Sequence, residues 1–423
     1  MARKVLISFV GTGPFDENSK NSIREYKTAK YKFGSKEIET TFVASALTEF
    51  LECDTLFLFG TVKSMWEEVY NYYCKKNGLH FDEAYYYDIA EKCGETANSK
   101  TKLNKVNFQK ISEVIGNNSK VIPIPYGLNQ EEIEDIFRIF TDTLQENLKD
   151  GDQVYLDITH SFRSLPIYAQ TTITFLTDVL GKDLEFKGIY YGMFEGNTEL
   201  GYTPIVDLSY MLEIQKFIKG SYAFETTGNV DLLTRLLKER NANASLKLEE
   251  FSKVLSLNFV YDIKSQLAVL KSLSSENDYQ LPEKLIVPVA FKNFLKFFDK
   301  AKTLSDYQYL LAEWHFQKSA YALSYLCLIE SLISYQLELN GKSEQEVKSE
   351  DNRNKVKGQL RADINAIYGP ANQYRKTIAH VTEERQEVFS EGKRQAVGPK
   401  DAVINLEKYL KDFKTIRRKN NAH

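Results

Sequence analysis

The chain has 423 residues, 43% of them hydrophobic and 27% charged, and a formal net charge of −3. The length allows two or three domains of ordinary globular composition, and the charge excludes a basic nucleic-acid footprint over the whole surface while leaving room for a local groove. Four cysteines, Cys53, Cys74, Cys93 and Cys327, form no CxxC pair; without a signal peptide, they read as thiols of a reduced, cytoplasmic chain with no structural zinc site.

Lys4–Val10 reads as a buried strand, followed by Gly11-Thr12-Gly13, a turn through which backbone can approach a ligand closely. No GxGxxG follows, so a dinucleotide-dependent oxidoreductase is disfavoured. Alternation through Glu25–Thr41 suggests a hairpin at Phe33-Gly34, and Thr41–Phe50 a helix. Thr55–Phe59 is a second strand, with Gly60-Thr61 and then Ser64-Met-Trp66 opening a helix through Tyr73. Residues 75–118 form a tyrosine-rich insertion with a helix. Val121–Pro125 is a strand and Glu131–Leu148 an amphipathic helix.

The most informative stretch is Gln153-Val-Tyr-Leu-Asp-Ile-Thr-His-Ser-Phe-Arg-Ser-Leu-Pro166. A short apolar run meets six polar residues, and Pro166 then sits in the first turn of a helix through Leu176. A strand, a polar turn and a helix start face ligands in open α/β sheets. The free N–H groups of the helix start suit an anion, and His160 and Arg163 add donors. A loop whose polar groups are satisfied locally is the bland alternative. Leu184–Tyr191 and Thr203–Leu208 are the last strands, giving a Rossmann-like parallel sheet.

From Met211 the pattern is helical. Leu304–Leu339 reads as one long helix; its Ser324, Glu330, Ser331 and Ser334 leave it short of the roughly 20 apolar residues of a membrane span. Residues 341–354 read as a charged loop and Lys355–Tyr368 as a helix stopped by Gly369-Pro370. Pro370 opens a further helix through His380. A polar loop spans 385–400, and a final helix runs from Asp401 to Arg418. The basic tail with Lys411, Lys414, Arg417, Arg418 and Lys419 either attracts RNA or complements the dipole of this helix. Arg375 and His380 lie five positions apart, about 140° around a helix, so spacing alone gives them no shared face.

Asp157-Ile-Thr-His-Ser-Phe-Arg-Ser-Leu-Pro166 resembles the signature of the CRISPR-associated CARF domains that sense cyclic oligoadenylates. Arg375-x4-His380, with an upstream helix ending near Glu330, resembles the HEPN ribonuclease motif. With Gly11-Thr12, Phe59–Trp66, Pro125-Tyr-Gly127 and Tyr190-Tyr-Gly192 in order, the chain resembles the type III CRISPR ancillary CARF–HEPN ribonucleases. The resemblance implies an α/β domain at 1–210, a helical connector at 211–300 and an all-α HEPN domain at 301–423.

It also implies a homodimer, with higher oligomers open, and a ligand pocket on its two-fold axis. Cyclic tetra-adenylate is the expected activator, with cyclic hexa-adenylate the alternative. Gly11, Thr12, Thr61 and Ser64 would line the walls, His160, Ser161, Arg163 and Ser164 would contact ribose and phosphate, and Asp157 would brace the loop. Arg375 and His380 of both chains would cleave single-stranded RNA without metal, by attack of a ribose 2′-OH. Glu330 is either half of a buried ion pair or the brace of Arg375. Lys376 departs from the commoner motif, in which an Asn follows the Arg. That keeps a second function in view, a sensor whose helical domain is catalytically weak or only binds RNA. A transcriptional regulator would need a basic recognition helix, and none is visible.

Overall fold

The computed structural model describes residues 2–12, 27–94, 97–101, 106–160, 162–275, 279–379, 387–390, 393–396 and 398–420. It divides into two compact units, Met1–Leu212 and Glu213–His423.

The N-terminal unit is built on eight strands: β1 (Lys4–Phe9), β2 (Ala29–Phe33), β3 (Lys36–Thr40), β4 (Thr55–Thr61), β5 (Lys120–Ile124), β6 (Gln153–Asp157), β7 (Glu185–Gly192) and β8 (Thr203–Asp207). Their order in one sheet is β3-β2-β8-β7-β6-β1-β4-β5. The helices are α1 (Val43–Leu51), α2 (Trp66–Lys76), α3 (Glu83–Cys93), α4 (Gln109–Ile115), α5 (Gln130–Asn147), α6 (Leu165–Asp178) and the short α7 (Asn197–Leu200). Among the described residues, the insertion after α2 thus holds two helices rather than one.

Alternation along the strands sends side chains to two opposite cores. Leu6, Leu56, Leu58 and Tyr155 pack with α1 to α4. Val5, Ile7, Phe57, Phe59, Val154 and Leu156 pack with α5 and α6, where Phe59 stacks on Phe140 at 4.1 Å between ring centroids. Burial on both faces explains why these strands read as continuous apolar runs.

The centre of the sheet, β7-β6-β1-β4-β5, is parallel as expected. The sheet as a whole is mixed. β8 runs antiparallel to β7, and the β2–β3 hairpin extends the edge beyond it. The reason is the connection: only a 3-10 turn and α7 lie between β7 and β8, too little for a parallel crossover helix.

The second unit is helical: α8 (Tyr210–Thr227), α9 (Asp231–Lys238), α10 (Ala242–Ser256), α11 (Ile263–Leu273), α12 (Leu281–Phe297), α13 (Leu304–Gln317), α14 (Tyr321–Leu339), α15 (Glu344–Lys348), α16 (Glu350–Val356), α17 (Ala362–Ala379) and α18 (Pro399–Asn420). A hairpin of β9 (Glu387–Ser390) and β10 (Lys393–Ala396) lies in the stretch expected to be a loop. One hydrophobic cluster runs from Phe217 to Phe413, through both the expected connector and the helices after it.

Three helix boundaries differ from the sequence reading. Leu304–Leu339 is two helices, broken at Lys318–Ala320, where Ser319 takes a left-handed φ of 59° and the Ala320 N–H bonds the His315 carbonyl at 2.9 Å. Ser324 and Ser331 then donate across the pair to the carbonyls of Ala312 and Ser305, at 2.7 and 2.8 Å. No Gly or Pro announces this break. Residues 344–356 hold two short helices, the first opened by a capping box on Ser343 and Glu346. Pro370 does not start a helix; it lies inside α17, which is continuous. Pro costs roughly 3 kcal/mol in a helix interior, so packing of Ile364, Ile367, Ala371 and Tyr374 in the core holds α17 together.

Candidate functional site

β1, β4 and β6 end together at the carboxyl edge of the parallel sheet. Within the parallel centre, β4 and β5 lie on one side of β1 and the later strands β6 and β7 on the other, which opens a crevice at this edge. The loops are locked to each other by backbone. The Met65 N–H bonds the Gly11 carbonyl at 3.0 Å, the Ser64 hydroxyl donates to the Val10 carbonyl at 2.7 Å, and the Trp66 indole donates to the Thr61 carbonyl at 2.8 Å. Gly60 is required here, because an added Cβ would meet the Ser64 hydroxyl and the Trp66 ring at 2.7 Å.

Asp157 is fully buried at the end of β6. Its carboxylate accepts from the Ser8 hydroxyl at 2.6 Å, the Thr159 N–H at 2.9 Å and the Thr159 hydroxyl at 2.5 Å. The same Thr159 hydroxyl accepts from the Gly192 N–H at 2.8 Å, tying the loop to β7. Asp157 is therefore the loop's brace. Burial pushes its carboxyl up, against the opposing pull of the Ser8 and Thr159 hydrogen bonds and of His160. Burial likewise holds the His160 imidazole below its ordinary value, with Asp157 acting in the opposite direction.

A cavity of about 290 Å³ opens at this edge. Gly11, Thr12, Thr61, Ser64 and His160, all expected to bind, line it together with Val10, Thr159, Phe162 and Leu165. Ser64 is buried and its hydroxyl is engaged by Val10, so it shapes the wall. Arg163 and Ser164 are exposed and outside this lining. Ser164 occupies the cap position of α6 without a side-chain cap bond. Ser161 lies outside the described residues. The sequence reading missed Val10, Thr159, Phe162 and Leu165. Thr159 was legible, since Asp-x-Thr favours a local side-chain-to-backbone bond. Phe162, half in solvent and 5.6 Å from the Tyr126 ring, carried no such signal.

In the helical unit, α17 is anchored through Tyr374. It is buried, stacks on Tyr325 at 5.8 Å and accepts from the Asn405 amide at 2.8 Å. The next residue, Arg375, is half-exposed, and its Nε donates to the side-chain Oδ1 of Asn372 at 3.1 Å. Asn372 went unnoticed in the sequence, although i,i+3 spacing places it beside Arg375. His380 lies outside the described residues. Glu330 does not hold Arg375. It pairs with Arg353, which is buried and also donates to Ser334 Oγ at 3.0 Å and the Val347 carbonyl at 3.1 Å. This is the ion pair of the two alternatives, with the Arg353 side buried and the Glu330 side chain about one-third exposed rather than buried.

Among the described residues no cluster of His, Cys, Asp and Glu suits a metal, and no helix is long and apolar enough to cross a membrane. The four cysteines are free.

Residues 5–195, which carry the braced loop and its cavity, match the family model of the CARF domain of CRISPR system endoribonuclease Csx1. These matches support a CRISPR-associated, CARF-containing family. Residues 213–306 match the second domain of CRISPR-associated protein MJ1674. A curated relative, CRISPR-associated protein MJ1674 of Methanocaldococcus jannaschii, is 37% identical over 346 residues, 78% of this chain. The chain spans about half the length of that relative, 53%.

Proposed function

We propose that the N-terminal unit senses a cyclic oligoadenylate, and that binding activates cleavage of single-stranded RNA by the helical unit in CRISPR antiviral defence. The observation that carries the reading is the convergence of Gly11, Thr12, Thr61, Ser64 and His160 on one cavity in a CARF-type domain. Five residues drawn from three loops far apart in sequence meet where open α/β sheets bind ligands. Phe162 offers a face for a base, and Arg163 and Ser164 stand exposed beside the start of α6 for phosphate.

The cavity of one chain, about 290 Å³, is at the lower bound for a drug-sized ligand. A ring of four nucleotides exceeds it. Two cavities facing across a two-fold axis would accommodate such a ring, which favours a homodimer and cyclic tetra-adenylate over cyclic hexa-adenylate.

The reaction we assign is transesterification. A ribose 2′-OH attacks the adjacent phosphorus and the P–O5′ bond breaks. The products are a 2′,3′-cyclic phosphate and a 5′-hydroxyl. His380 moves the proton, because an imidazole exchanges it near neutral pH. Arg375 stabilises charge on the phosphoryl oxygens. Its half-exposed place on α17, braced by Asn372, fits a group that meets a strand from solution.

The test is cleavage of a fluorescent single-stranded RNA in EDTA, with and without cyclic tetra-adenylate or cyclic hexa-adenylate. Cleavage with one ring, lost in Arg375→Ala and His380→Ala, is expected. Ring binding without cleavage would replace the enzyme by the sensor module that Lys376 keeps in view. Absence of ring binding would end the sensing assignment.

A further inference from the structure

Asn372 is half-exposed on α17, one turn before Arg375 and between the buried Ala371 and Tyr374. Those two neighbours fix the rotation of α17 about its axis. Ala371 is packed in the core, and Tyr374 is held by its stacking on Tyr325 and by the Asn405 amide. The directions in which residues 372 and 375 leave the helix are therefore set.

The hydrogen bond between them decides which end of the Asn372 amide is used up. A guanidinium only donates. The Arg375 Nε–H, at 3.1 Å, therefore meets the amide oxygen, Oδ1. Nδ2, at the other end of the same planar group, keeps its two N–H donors. Among the described residues they meet no protein acceptor, and the two Nη groups of Arg375 have no partner either.

The space beside this amide is open. A helical side chain leans toward the N-terminus, over the residues three and four before it. For Asn372 these are Gly369 and Tyr368. Gly369 has no side chain to cover the amide, and a Cβ built on it would meet nothing within 4 Å. Tyr368 is half-exposed. On the other side Arg375 and the exposed Lys376, three and four residues on, border Asn372 with positive charge. Carboxylates are kept away. The one acid of α17, Asp363, pairs with Arg361, and Glu330 pairs with Arg353. Two cations, two unused amide donors and no competing carboxylate on one helix face suit a phosphate group.

We propose that Asn372 is a further catalytic residue, whose Nδ2 donates to a non-bridging oxygen of the phosphate that Arg375 stabilises. The proposal rests on the RNA-cleaving reading of the helical unit. One amide then has two tasks. Its oxygen aims Arg375, and its nitrogen meets the negative charge that grows on the phosphoryl oxygens as the 2′-OH adds to phosphorus.

The test separates those tasks. Cleavage of the fluorescent RNA by full-length protein is followed under single turnover with the activating cyclic oligoadenylate. Wild type, Asn372→Ala, Arg375→Ala and the double variant are compared. Asn372→Ala is expected to slow cleavage about tenfold through the lost donor. Melting and ring binding should be unchanged, because Ala suits a half-exposed helix position. The double variant is expected to cleave about tenfold more slowly than Arg375→Ala, since the amide acts on the phosphate in its own right. A 2′-O-methyl oligoribonucleotide, which lacks the attacking hydroxyl, gives the same comparison as an affinity if Arg375→Ala is too slow to measure. A double variant equal to Arg375→Ala would show that Asn372 acts only by aiming the guanidinium, and overturns the proposal. So does Asn372→Ala cleaving like wild type. Both of these outcomes leave the RNA-cleaving reading standing. Wild type that cleaves with no ring removes that reading, and the proposal with it.

Discussion

The loop after β6 and the end of α17 both present charged residues beside an apolar run, yet the fold treats them in opposite ways. Asp157 has no exposure and three hydrogen bonds, so the loop is fixed before any ligand arrives. Among the described residues Arg375 has one hydrogen bond, to a neighbour on its own helix, and it is half-exposed. A buried charge must be satisfied by the fold itself. An exposed one is left for a substrate to satisfy. The first motif is a framework that holds ligand-facing atoms still, and the second is a reagent presented from a rigid helix.

That contrast is sharpest in mutants. Arg375→Ala is expected to reduce activated RNA cleavage by about 100-fold or more, the usual loss for a charge-stabilising donor. Its melting temperature should be unchanged. A matching loss of stability would show that Arg375 is structural. Asp157→Ala should behave the other way round. It strands the hydroxyl of Ser8 and both the N–H and the hydroxyl of Thr159, and should destabilise the N-terminal unit by about 3 kcal/mol in denaturant unfolding. Wild-type stability in that variant would break the distinction.

Two titrations follow. Burial pushes the His315 imidazole down to about 4, from an ordinary 6.5. The unfolded chain therefore binds the proton first. Stability from this group is complete above pH 6.5 and is lost as pH falls toward 4, by about 3 kcal/mol at most. Unfolding of the helical unit followed across that window should show the slope, and His315→Gln should flatten it. The smallest effect concerns His160, held below its ordinary value and so neutral at pH 7. A bound phosphate favours the charged ring. Affinity for a cyclic oligoadenylate should rise as pH falls from 7 through the bound-state pKa, by about tenfold, and His160→Gln should remove the rise. A pH-independent affinity would mean that His160 meets the ligand only as a neutral partner.

The strands of the parallel centre were legible because both their faces are buried, which writes a continuous apolar run into the sequence. So was the loop at Asp157, because a strand, a polar turn and a Pro-led helix are all local signals. The reversed β8, the break at Ser319 and the passage of α17 through Pro370 were not. In each, local preference is overruled or left undecided. β8 follows the length of its connection, the α13–α14 pair is fixed by Ser324 and Ser331 reaching across to carbonyls, and Pro370 is carried by the burial of its neighbours. The same division holds at the sites. Turns after apolar strands, together with the family resemblance, marked Gly11, Thr12, Thr61, Ser64 and His160 as candidates, along with Ser161, Arg163 and Ser164. Only tertiary structure brought them to one cavity, gave Glu330 to Arg353 rather than Arg375, and left the His315 nitrogen unpaired. Partners in a folded chain are chosen by three-dimensional proximity and by the cost of burying an unsatisfied group, and neither is a property of sequence spacing.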